Sequence, residues 1–170
     1  MRQLGCEFAV VESAVDELST GDPATVVVEN ALRKARAVAN DPGSAGATVI
    51  GADTEVVLAG RVLGKPSDLN TAREYISALS GSTHEVHGGI AVIANGREST
   101  AHSVTSVKFR DLQSDEIERY LMTDEWQERA GGYAIQGKGA MLVERIDGDY
   151  LNVVGLAVPA LVELAPELFT

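Results

Sequence analysis

The stretch HEVHGGIAVIANGRESTAHSVTSVKFRDL, residues 84–112, constrains the fold more than any other part of the chain. It reads as two long strands joined at Asn95-Gly96, the dipeptide a tight hairpin turn favours, because both turn residues must take positive φ. A long antiparallel hairpin excludes a purely parallel doubly wound sheet. Around it, helical and strand patterns interleave. The expected class is therefore α/β with a mixed sheet. With 170 residues and 45% hydrophobic content, the chain is long enough to bury a real core as one domain spanning residues 1–170, or as one elongated domain with two lobes.

Upstream, GDPATVVVENALRKARAVAND reads as a helix with Asp22 as cap and Pro23 in the first turn. Val27, Ala31 and Val38 share one helical seam, and Lys34 falls on the same seam as a charge among apolar neighbours. A lone lysine there commonly packs its stem and snorkels its ammonium to water. The sharper reading aims the ammonium into a polar cleft. Residues 6–11, CEFAVV, read as a strand, followed by the acidic pair Asp16-Glu17. TVIGA reads as a short buried strand ending before Asp53, and EVVLAGRVLGKP as a hairpin turning at Ala59-Gly60. SDLNTAREYISALSG is a helix capped near Ser67 or Asp68 and stopped by Gly81. SDEIERYLMTDEW is a helix capped by Ser114. Residues 140–146 read as a strand, and the chain closes in an apolar helix broken near Pro159 and Pro166.

Charge narrows the function. A formal net charge of −11 argues against broad binding to nucleic acid or to an anionic membrane. No apolar run approaches the length of a membrane span, and MRQLGCEFAVVESAVDEL lacks the pattern of a signal peptide. The single cysteine, Cys6, forms no internal disulfide and reads as a small core residue, which fits a reducing cytoplasm. His84, His87 and His102 have no metal-site spacing with it, and His84 and His87 fall on opposite faces of a strand. Neither GxxxxGK[ST] nor GxGxxG is present.

The polar residues that remain form a pattern. Asp53 stands where α/β sheets gather ligands, just past a strand. Thr54 follows, Lys65 sits in GKP, and Lys34 lies on an apolar seam. Alone, each reads as an ordinary turn or surface residue. Together, two lysines and two or three acids suit a phosphate chain with a hard cation, the lysines balancing phosphate charge and the acids holding the cation or activating a water. In YAIQGKGA, Gly137 and Gly139 permit close backbone approach, and Gln136 offers a donor and an acceptor to the edge of a base.

The blocks ENALRKARAVA, VIGADTEVV, VLGKPSD, ALSGSTHEVHGGIAV, RAGGYAIQGKGA and GDYLNVVGLAVPAL resemble, in order and spacing, the Maf family of nucleoside triphosphate pyrophosphatases. The resemblance covers about residues 4–167. It implies an inosine-triphosphatase-like α/β fold, often as a homodimer, and cleavage of a nucleoside triphosphate to the monophosphate and pyrophosphate with Mg or Mn. It further implies that Asp53 is the catalytic aspartate, as general base or metal ligand, and that Glu17 lies on the metal side. Lys34 and Lys65 then contact the phosphates, and Thr54 and Gln136 select the base. The pairing of ADT with IQG resembles the branch acting on dTTP and UTP, modified pyrimidine nucleotides included.

Two departures qualify the resemblance. Family chains open with a strand and a phosphate-binding loop of the form SxSPRR, whereas this sequence starts at MRQLG, and Arg2 is no substitute for that loop. Two expectations follow: either the sequence starts too late or is a truncated form, or the chain has lost part of its phosphate grip, at about 1.5–3 kcal/mol per lost charge-assisted contact. The second departure is WQERAGGY, where Glu128 and Arg129 stand for a more usual aspartate-lysine pair. Two further readings stay open at this point. One is a nucleotide-binding or regulatory protein without turnover, connected with septum formation. The other is an acidic α/β scaffold with no ligand.

Overall fold

The computed structural model describes residue 1 and residues 5–169. Arg2 lies outside the described residues. Five strands, β1 (Val49–Leu58), β2 (Arg61–Leu63), β3 (Thr83–Ala94), β4 (Arg97–Phe109) and β5 (Val143–Asp147), form one sheet in the order β2-β1-β3-β4-β5. The helices are α1 (Pro23–Ala39), α2 (Leu69–Leu79), α3 (Ser114–Leu121), α4 (Tyr150–Val154) and α5 (Val158–Leu164). The class is mixed α/β. β3 and β4 form the long hairpin, with Asn95 and Gly96 at φ 51° and 73°, the conformation their turn requires. β1 and β2 pair antiparallel, with Val56 opposite Leu63, and turn through Ala59 and Gly60 at φ 50° and 80°.

The chain divides into two compact units: residues 1–53, 88–103 and 156–170, and residues 54–87 and 104–155. In the first unit, Asp22 caps α1 by accepting from the Thr25 amide, and Pro23 occupies the first turn. α1 buries Val26, Val27, Asn30, Ala31 and Ala35. It lies directly on the strands at two glycines. A Cβ at Gly51 would stand 2.1 Å from the Ala31 carbonyl oxygen, and one at Gly89 would stand 2.1 Å from the Val27 carbonyl oxygen. No side chain fits in either place. Ile90 and Val92 of β3 pack with Ala157, Leu161 and Ala165 in the same unit.

The second unit has a larger core of Val56, Leu63, Ile76, Leu79, Val86, Phe109, Tyr120, Trp126 and Tyr133 among others. Asp68 caps α2 through the Thr71 amide. Burial of His84 is completed by Phe109 and Tyr133, whose rings stand edge-on to it at centroid distances of 5.1 and 5.5 Å.

Several local expectations are corrected. Residues 6–11 form no strand, and Val10 and Val11 stay 81% and 55% exposed. β-propensity reports the fit to a packed surface, and without burial it is not realised. Cys6 is half-buried, its thiol donating to the Leu168 carbonyl at 3.4 Å, and is not a core residue. The strand expected to stop before Asp53 runs on through it to Leu58. Gln113, not Ser114, caps α3, with its amide donating to the Glu116 carboxylate at 2.9 Å. β5 starts at Val143 because a 3-10 turn, Lys138–Leu142, takes the preceding residues. Pro159 opens α5 instead of breaking it, as proline's fixed φ allows in a first turn.

Candidate active site

Asp53 sits inside β1 with its side chain only 9% exposed. A carboxylate so placed needs partners, since an unpaired buried charge is costly. α1 supplies two of them, one turn apart on one face. The Lys34 ammonium lies 2.6 Å from Asp53 Oδ1, and the Asn30 side-chain amide donates to Asp53 Oδ2 at 3.1 Å. The same ammonium lies 2.6 Å from Glu17 Oε1. Lys34 therefore bridges two carboxylates, and the snorkelling reading of its seam position does not hold. Burial pulls the Lys34 pKa down, but the hydrogen bonds to Asp53 and Glu17, with their charges, outweigh it and hold the pKa above the ordinary lysine value.

Asn30 is the residue that sequence reasoning missed. It is 2% exposed. Its amide also donates to the Leu18 carbonyl at 3.0 Å, and its Oδ1 accepts from the Leu18 amide at 2.8 Å. Asn30 thus fastens the irregular segment that carries Glu17 to the helix that carries Lys34. The available signal was a polar residue at the i−4 position from Lys34, at a helix position whose buried neighbours, Val26, Val27, Ala31 and Ala35, are apolar.

The other expected site residues belong to the second unit. Lys65 follows β2. It is exposed and pairs with Glu128 at 3.2 Å, so the glutamate flagged as a departure is its partner. With side chains 57% and 84% exposed, this pair exchanges readily with another anion. Thr54 is the next residue of β1, and the alternation of a strand turns it away from the face that carries Asp53. Gln136 is exposed at the end of the buried run Tyr133-Ala134-Ile135. It occupies the third position of a turn closed by the Gly137 amide on the Ala134 carbonyl at 3.0 Å.

Among the described residues, no group of three or more His, Cys, Asp or Glu side chains stands together as a metal cage. The pair Asp53 and Glu17 fits a different mode, in which a hard cation takes one or two protein carboxylates and completes its shell with phosphates and water. No helix among the described residues is long and apolar enough to cross a membrane.

A family model described as Maf-like protein matches residues 1–168. The chain is 42% identical over 173 residues to a protein of Dictyoglomus thermophilum named dTTP/UTP pyrophosphatase, which covers 99% of this chain and 89% of the relative. Proteins of the same name from Pyrococcus furiosus and Moorella thermoacetica are 45% and 46% identical. They cover 88% and 96% of this chain, and 77% and 86% of their own lengths.

Proposed function

Because the chain belongs to the Maf-like protein family, we propose that it is a nucleoside triphosphate pyrophosphatase that hydrolyses dTTP and UTP to the monophosphate and pyrophosphate. The observation that carries the reading is the Lys34 ammonium held between Asp53 and Glu17, with Asn30 fixing the other oxygen of Asp53. A cation site beside two acids suits a substrate that brings its own negative charge. The names of the relatives favour turnover over a binding-only role.

In this reading Asp53 accepts the proton of the attacking water. Among the described residues its two oxygens are each held by one donor, and a carboxylate has about four lone-pair sites, so capacity remains for a water. Asn30 keeps the carboxylate from rotating. Lys34 moves part of its interaction from the acids to the phosphate chain and offsets charge developing on the leaving pyrophosphate. Mg or Mn held at Asp53 and Glu17 would neutralise phosphate charge. Lys65 and Gln136 are assigned phosphate and base contacts by their places in VLGKP and AIQGKG, and Thr54 a base contact by its place in ADT. The reading includes a cytoplasmic enzyme and a homodimer, the latter checked by light scattering.

The test is pyrophosphate release from dTTP and UTP with Mg or Mn, against Asp53→Asn. Turnover that Asp53→Asn lowers by at least about a hundredfold supports the reading. Turnover indifferent to this substitution refutes the role of Asp53, and absence of turnover from the folded protein refutes the activity.

A further inference from the structure

Gln136 reads a base only as well as its backbone is held, and the backbone of residues 132–139 is held by side chains outside it. On one side, the Tyr120 hydroxyl bridges two main-chain groups, accepting from the Ala134 amide and donating to the Gly132 carbonyl, both at 3.3 Å. On the other side stands Glu125. Its Oε2 accepts from the Lys138 amide at 2.7 Å and from the Gly139 amide at 3.3 Å. These are the first amides of the 3-10 turn Lys138–Leu142, which has no helical partner for them. The carboxylate also lies against Gly137. A Cβ there would stand 2.6 Å from Glu125 Oε2 and 2.8 Å from Oε1. The φ of Gly137, −114°, is not left-handed, and a methyl group there meets the Glu125 carboxylate, which must shift to admit it.

Glu125 is itself delivered by a tight turn after α3. Asp124 takes φ 59°, and the Glu125 amide donates to the Thr123 hydroxyl at 3.3 Å. A half-buried carboxylate aimed at backbone amides through a left-handed turn is more than a solvated surface acid.

We propose that Glu125 is a specificity-positioning residue: it pins Gln136-Gly137-Lys138-Gly139 and so sets the orientation in which Gln136 meets the base of a pyrimidine triphosphate. The inference rests on the assignment of base selection to Gln136. Glu125 touches no substrate and acts through the loop. Loss of its two hydrogen bonds loosens the register of Gln136 while the acids and lysine of Asp53, Glu17 and Lys34 keep their contacts.

The experiment measures kcat/KM for dTTP and for dGTP in the full chain and in Gln136→Ala, Glu125→Ala, Glu125→Gln, Gly137→Ala and the double variant Glu125→Ala/Gly137→Ala. The readout is the ratio of the two values, which a general loss of stability does not move. Glu125→Ala is expected to lower the dTTP preference roughly tenfold, the size of one charge-assisted hydrogen bond. Gly137→Ala is expected to do the same, because its methyl ejects the carboxylate. The double variant is then no worse than either single one, since both remove the same contact. Glu125→Gln retains an acceptor oxygen and is expected to stay within about twofold of the parent. If Gln136→Ala abolishes the preference and neither Glu125→Ala nor Gly137→Ala changes it, the inference is overturned and the reading of Gln136 stands. If Gln136→Ala leaves the preference intact, the reading of Gln136 fails and takes the inference with it. Should Glu125→Ala fail to fold, Gly137→Ala decides by the same ratio.

Discussion

Gly51→Ala tests how closely helix packing and active-site geometry are tied. The added Cβ would stand 2.1 Å from the Ala31 carbonyl oxygen and 3.0 Å from the Ala35 amide nitrogen. Both are helix backbone atoms and have no rotamer with which to yield. To restore an ordinary contact of 3.4 Å, α1 must retreat from β1 by about 1.3 Å. Overpacking of this kind costs about 1–3 kcal/mol. In a chain of this size that lowers Tm by roughly 2–12 °C.

The larger effect falls on function, because α1 carries Asn30 and Lys34 and β1 carries Asp53. If the helix retreats as a unit, a Lys34–Asp53 contact of 2.6 Å and an Asn30–Asp53 contact of 3.1 Å both leave hydrogen-bonding range. A misplacement of about 1 Å at a reacting group lowers the rate by about a hundredfold. The assay is differential scanning fluorimetry together with pyrophosphate release from dTTP, measured well below the variant's Tm. Gly64→Ala is the stability control, since among the described residues nothing beyond its chain neighbours lies within 4 Å of a Cβ placed there and its φ is not left-handed. Unchanged Tm and unchanged kcat/KM in Gly51→Ala would refute the close-approach argument. A lowered Tm with full activity would refute the link between this packing and the acid–lysine geometry.

Other perturbations separate stability from function. Lys65→Ala removes only an exposed pair worth about 0–1 kcal/mol, so Tm should hold. Loss of a phosphate contact should lower kcat/KM by about 10–150-fold, and equal losses in Tm and kcat/KM would argue against that role. Asn30→Ala takes the side-chain partner from the half-buried amide and carbonyl of Leu18 and should lower stability by about 1–3 kcal/mol in urea unfolding, together with kcat. His84 gives a pH signature. Burial pushes it from the ordinary 6.5 to about 4, and its Nδ1 has no hydrogen-bond partner among the described residues. The unfolded chain therefore binds a proton between pH 6.5 and 4 that the folded chain does not. Stability should fall as pH drops through that window, by up to about 3 kcal/mol, and level off below pH 4. His84→Gln, which retains a polar side chain for the Tyr133 hydroxyl, should lose this component, seen as a flatter plot of urea-unfolding free energy against pH.

The parts of the fold legible in sequence are those whose cause is local. Asn95-Gly96 turns the long hairpin because two adjacent residues must take positive φ, and Asp22-Pro23 starts α1 because cap and first turn are contiguous. Residues 6–11 have the strand pattern, but strand formation needs burial that no short window reports. The cap of α3 depended on a glutamate three residues on and fell at Gln113 beside the expected Ser114, and the start of β5 was pushed to Val143 by a glycine-rich turn.

The site was legible in its residue types and misread in its geometry, and Gly51 and Asp53 show why. A glycine followed shortly by an acid reads as punctuation at the end of a strand. In the structure neither ends anything. Gly51 is small because α1 lies on it, and Asp53 stays in the strand because Lys34 and Asn30, 19 and 23 residues earlier, satisfy its charge. Both explanations come from one neighbouring helix, which no local rule contains. Lys34 carried the converse signal: a charge on an apolar seam marks where that helix meets something polar. Two anomalies, an acid in a strand and a cation on a buried face, were separately weak because each is the other's partner. Places where local preference and the fold disagree are where function is expected to reside, and here a single ion pair accounts for both disagreements.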